Sequence, residues 1–134
     1  MKKEVKGIAR DTLKFILAVS RDSHPCEFAG LLRAQEGVIT EVLILPGTES
    51  SMESAILRLE MMPLDTSVIG TVHSHGSMNL KPSRADLELF AKRGSYHIIT
   101  CYPYGETNWR CYDSLGRQRD LKVFDIEFDD IEEI

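Results

Sequence analysis

Apolar positions along this chain recur with two different periods. Residues about 6 to 21 return Ile8, Ala9, Leu13, Ile16 and Leu17 to one face, which predicts a helix. His24-Pro25 ends it, because proline disfavours helical backbone in the residue before it. Phe28 to Leu32 and Val38 to Leu45 read as strands, parted by a turn at Gly37 and stopped by Pro46-Gly47. A strand near Ser54 to Arg58 and a short turn or helix near Met61 to Asp65 are predicted next. Ser67 to His75 is rich in β-branched residues and predicts a buried strand with an unusually polar end. After a loop, Gly76 to Pro82, comes a well-signalled helix. Ser83 suits its N-cap, Asp86 its first turn and Gly94 its C′ position, with Leu87, Phe90 and Ala91 as the apolar stripe. Tyr96 to Tyr102 is a strand, Pro103 to Thr107 a turn, Asn108 to Asp113 its hairpin partner, and Leu121 to Phe128 a last strand. This order predicts an α/β fold, a mixed sheet flanked by helices on both faces.

Composition narrows the class. A chain of 134 residues predicts one domain, 1–134, with room for a core. With 43% apolar and 28% charged residues, disorder, collagen and coiled coil are excluded as the main state. No apolar run approaches the roughly 20 residues of a membrane span. Glu4, Lys6, Arg10 and Asp11 would interrupt a signal peptide. The net charge of −5 repels phosphate backbones, so nucleic acid is not the expected partner, and without a spanning run neither is a membrane. Three cysteines are too few for a secreted disulfide framework, which predicts a cytoplasmic protein. Cys101 and Cys111 are equidistant from Glu106, so they would face each other across the hairpin, as two thiols or a disulfide. Cys26 has no evident histidine partner and is not read as a nucleophile. The end of the chain, 125–134, holds six acids and reads as a strand that frays into a solvated end, with an acidic partner-binding tail as the alternative.

The chemistry lies in His73-Ser74-His75, followed after seven residues by Ser83 and then Asp86. On a strand, residues i and i+2 point the same way, so His73 and His75 project in parallel while Ser74 points to the other face. Asp86 shares the helix face turned to the sheet. Two imidazoles and a carboxylate form a three-ligand zinc site whose fourth position stays open for water. Each half alone has a plainer explanation, solvated strand-end residues or a helix cap with a first-turn acid. Together, from ordinary residue usage, they arise by chance in a chain of this length on the order of once in ten thousand.

This pattern resembles the signature of the JAMM metalloproteases, the MPN+ group of the MPN domain superfamily. The resemblance is nearest to the small, stand-alone archaeal and bacterial-type members. It implies a single MPN domain, similar to the cytidine-deaminase fold, that holds one zinc ion per chain with His73, His75 and Asp86. It further implies Glu27 as catalytic general base, in Pro25-Cys26-Glu27-Phe28, and Ser83 as an oxyanion donor; an exposed strand-start charge and a simple cap are their respective alternatives. Many members have proline after the second histidine, where this chain has Gly76. The inserted segments with which larger members grip ubiquitin have no counterpart here. The implied activity is hydrolysis of the isopeptide, or peptide, bond at the C-terminus of a ubiquitin-like modifier. Processing of a sulfur-carrier protein and a non-catalytic scaffold are the alternatives, and a homodimer is compatible with the chain. Met61-Met62 would line the leaving-group side or belong to the core. A zinc deaminase would require a Pro-Cys-x-x-Cys motif, which Pro25-Cys26-Glu27 does not supply.

Overall fold

The computed structural model describes residues 4–45 and 67–125. The expected elements at Ser54 to Arg58 and Met61 to Asp65, the Met61-Met62 pair and the chain end beyond Asp125 lie outside the described residues. In chain order the elements are β1 (Gly7–Ala9), α1 (Arg10–Ser23), β2 (Ala29–Gln35), β3 (Val38–Ile44), β4 (Val68–His75) and α2 (Arg84–Lys92). They continue with β5 (Tyr96–Cys101), β6 (Trp109–Tyr112), β7 (Gln118–Arg119) and β8 (Lys122–Phe124). One mixed sheet runs in the order β7-β6-β5-β4-β2-β3-β1-β8. β1 pairs in parallel with β3 and β8, and β4 in parallel with β5; the other pairs are antiparallel. None of the described helices is long and apolar enough to cross a membrane.

The helices pack on opposite faces of the sheet, as the pattern predicts. α1 buries Leu13, Ile16 and Leu17 against Leu32, Val72 and Ile98. α2 buries Leu89 against Leu31, and Phe90 against Ile99 and Tyr112. Each such side chain contributes roughly 1.5–3 kcal/mol relative to exposure. β2 and β3 are joined through Glu36 and Gly37, both at positive φ (53° and 82°), the geometry of the tightest hairpin turns. The connection from β4 to β5 is a parallel crossover through α2, and Gly94 turns the chain at its end with φ 93°.

Four expectations are corrected. The helix does not begin near residue 6: Gly7, Ile8 and Ala9 are a strand buried on both sides, and α1 starts at Arg10. The stripe of α2 is Asp86, Leu89 and Phe90 rather than Leu87, Phe90 and Ala91. Leu87 is 41% exposed and leans on the turn at Gly116. Among the described residues the last strand, β8, ends at Phe124 instead of running on from Leu121 through Asp125, and β7 precedes it. In the β5–β6 hairpin Cys111 stands opposite Ile98, and the Cys101 amide donates to Asn108, so the two cysteines do not face each other. Cys26, Cys101 and Cys111 are free thiols.

Candidate metal centre

Strand register brings the site together. Ala29 at the start of β2 lies opposite His73, near the end of the antiparallel β4. Two residues further in each direction are Glu27 and His75, so both stand at the same end of the sheet. The side of β4 facing α2 carries His73 and His75; Val72 faces α1. The first turn of α2 supplies Asp86.

Asp86 is fixed by a capping box. Ser83 Oγ accepts the Asp86 N–H at 3.1 Å, and Asp86 Oδ2 accepts the Ser83 N–H at 2.7 Å. That bond turns the carboxylate inward, where it is 1% exposed. Its Oδ1 lies 2.9 Å from His73 Nε2 and its Oδ2 3.0 Å from His75 Nε2. Burial opposes a charge here, but the imidazoles and the Ser83 amide outweigh it and hold the Asp86 carboxyl well below the usual carboxylate range.

The donor set fits a zinc ion. One donor atom from each of His73, His75 and Asp86 lies within 4.8 Å of the others. His73 is completely buried, yet neither of its ring nitrogens makes a hydrogen bond, although Nε2 lies 2.9 Å from Asp86. A buried polar nitrogen without a partner is costly unless its lone pair is aimed at a cation. At His75, Nδ1 donates to the carbonyl of Asn79 at 2.8 Å, and Nε2, hydrogen-bonded to Asp86 Oδ2 at 3.0 Å, is the nitrogen placed to bind a metal. Burial works against charge on His75, but Asp86, the Asn79 carbonyl and Glu27 together raise its pKa.

His75 and Asp86 open on a cleft of about 740 Å³ lined also by Pro25, Glu27, Ser83 and residues of the loop between His75 and Ser83, with His73 buried behind them. Glu27 is half-buried in its wall, and Ser83 stands exposed at its rim. Thus all five residues singled out in the sequence stand at one end of β4. Cys26 is exposed and is not among the residues lining the cleft. His97 belongs to the core: it stacks on Phe90 with ring centroids 4.3 Å apart and bonds Thr71 Oγ1 at 2.7 Å.

Ser74 is the residue that sequence reasoning missed. Its side chain does point away from the metal donors, but its Oγ accepts the Phe28 N–H at 2.9 Å, while its own N–H donates to the Phe28 carbonyl at 3.0 Å. It therefore fastens the segment carrying Glu27 to the strand carrying both histidines. Its burial inside a predicted strand was the available signal, since a buried hydroxyl requires a partner.

The family described as prokaryotic homologs of the JAB domain matches residues 9–112. A protein of Haloferax volcanii named "Probable metalloprotease" is 43% identical over 97% of this chain and 86% of its own length. Among solved structures, a JAB1/MPN domain protein from Archaeoglobus fulgidus is 39% identical, with a TM-score of 0.72 over 87% of this chain and 97% of that one. Another, described as JAMM, a metalloprotease-like zinc site in the proteasome and signalosome, is 39% identical with the same TM-score over 90% and 99%.

Proposed function

Because this chain belongs to the JAMM-type metalloproteases of the prokaryotic JAB family, with one zinc per chain, we propose that it hydrolyses the isopeptide or peptide bond at the C-terminus of a ubiquitin-like modifier. The observation that carries this reading is the convergence of His73, His75 and Asp86 at the floor of an open cleft that His75 and Asp86 line together with Glu27 and Ser83. An enclosed four-ligand site would instead favour a structural metal. His73, His75 and Asp86 would hold the zinc, which would supply an acidified water, with a pKa of about 7, as nucleophile at neutral pH.

The chain's own residues do the rest. Glu27 takes the proton of the attacking water and delivers it to the leaving amine as the C–N bond breaks. Ser83 has a lone pair engaged by the Asp86 N–H, which leaves its hydroxyl hydrogen free to donate to the developing oxyanion. Capping and oxyanion stabilisation are therefore compatible in one side chain. An extended modifier tail suits the open cleft, and the three free thiols suit a cytoplasmic reaction.

A substrate trap tests this. Zinc-loaded Glu27→Ala is incubated with extract of the native cell, and what it retains over a His75→Ala control is identified by mass spectrometry. Branched lysine–glycine remnants of a ubiquitin-like protein support the proposal and name the modifier. A free sulfur-carrier protein without a lysine branch moves the reading to a processing hydrolase. Retention of nothing beyond the control, with zinc in place, overturns it.

A further inference from the structure

Tyr104 occupies a position that its backbone does not favour. Its φ is 64°, in the left-handed region where bulky residues are rare, yet its side chain is 1% exposed. Glycine would make this turn freely, so the turn alone does not account for a tyrosine. The backbone is fastened on both sides. Its N–H donates to the Cys101 carbonyl at 2.8 Å, and Arg21 of α1 donates to its carbonyl at 2.9 Å.

What this placement achieves is the aim of the hydroxyl. Tyr104 Oη donates to the carbonyl of His75 at 2.8 Å and lies 3.1 Å from His24 Nδ1. Having given its only proton to His75, the hydroxyl accepts the proton on His24 Nδ1. His24 closes α1 and stands three residues before Glu27. Its ring also stacks on Tyr102 with centroids 4.7 Å apart, and the Tyr102 N–H donates to Ser77 in the loop beyond His75. The turn 102–104 thus fastens both the segment that carries Glu27 and the main chain that carries His75.

We propose that Tyr104 is a positioning residue whose hydroxyl, shared between His24 and the His75 carbonyl, holds Glu27 and the metal ligand His75 in one fixed arrangement. This rests on the roles proposed above for Glu27 and His75. Tyr104→Phe keeps the packed ring and removes both hydrogen bonds; His24→Ala removes one end of the chain.

The test measures zinc transfer from each loaded protein to a chromogenic chelator, and kcat and KM on the trapped conjugate. Tyr104→Phe should release zinc about tenfold faster and lose about tenfold in kcat with KM unchanged, the scale of outer-shell substitutions. His24→Ala should release zinc several-fold faster, and the double variant should be no worse than Tyr104→Phe, because both act on one chain. Arg119→Ala is the stability control: it removes a guanidinium stacked 3.9 Å over Tyr96, away from the cleft, and should release zinc at the parent rate. Parent-rate release from Tyr104→Phe overturns the inference, and so does equal acceleration in Arg119→Ala. If Tyr104→Phe does not fold, His24→Ala decides by the same comparison. Zinc release needs no substrate. A parent protein that cleaves no conjugate, with a Phe variant that loses zinc faster, refutes the functional proposal and leaves Tyr104 as the positioning residue. A parent protein that holds no zinc refutes both.

Discussion

Replacing Ser74 by alanine removes one oxygen atom and tests how the Glu27 segment is held. The side chain is 0% exposed, and its Oγ is the acceptor for the Phe28 N–H. Alanine leaves that amide buried without a partner, where water does not reach it, at a cost of about 1–3 kcal/mol. For a chain of this size, each kcal/mol moves the melting temperature by about 3–5 °C. Ser74→Ala should therefore melt about 3–15 °C below the parent, a range that calorimetry of the zinc-loaded protein resolves. Phe28 adjoins Glu27, so the base also loses an anchor, and kcat measured well below the melting temperature should fall by about tenfold. Melting within 1 °C of the parent with unchanged kcat would refute the reasoning. A lower melting temperature with unchanged kcat would confine Ser74 to supporting the fold.

Ser83→Ala should cost about 1 kcal/mol through the lost cap of α2 and lower turnover by about 10² with zinc retained. Unchanged turnover, measured beside the metal content, would limit Ser83 to capping. His97 gives a pH prediction: burial pushes its pKa down to about 4, and its neutral ring is bonded to Thr71 and the Gly94 carbonyl. The unfolded chain, with a value near 6.5, takes up its proton first as pH falls. This contribution to stability is full above about pH 6.5 and is lost as pH falls through about 4, roughly 3 kcal/mol in all. Urea melts of metal-stripped protein at pH 7 and pH 4 should show that loss in the parent and a smaller one in His97→Gln; equal losses would contradict the assignment.

The site was legible because its residues follow local rules. His73 and His75 needed only strand alternation, and Ser83 with Asp86 only the chemistry of a helix start. What was not legible depends on partners distant in sequence. Ile8 and Ala9 continue the helical period of Leu13 and Ile16 without a break, and only burial between β3 and β8 makes them strand residues. The stripe of α2 was misplaced by one position because its rotation is set by the capping box. Once Asp86 is turned inward, positions three and four further on, Leu89 and Phe90, must follow it. Leu87, about 100° away around the helix, is left at the surface. The cysteine pair failed on register: the hairpin turns ahead of Glu106, which shifts Cys111 to Ile98. Ser74 was placed on the other face without a role, and Tyr104 was given none, for a related reason, since each bonds a backbone group that no side-chain motif records.

The position of β1 bears on how the protein is made. One edge of β1 is met early in synthesis by β3, but the other must wait for β8, and the Arg10–Asp125 ion pair joins residues 115 apart in the chain. During translation the metal donors emerge well before the strand that completes the sheet. A nascent chain halted between them already holds histidines and carboxylate while the far edge of β1 is open, and an unpaired edge is prone to mispairing with other chains. β8 is thus added after every metal donor, and metal loading before that point would act on a sheet whose β1 edge is still open.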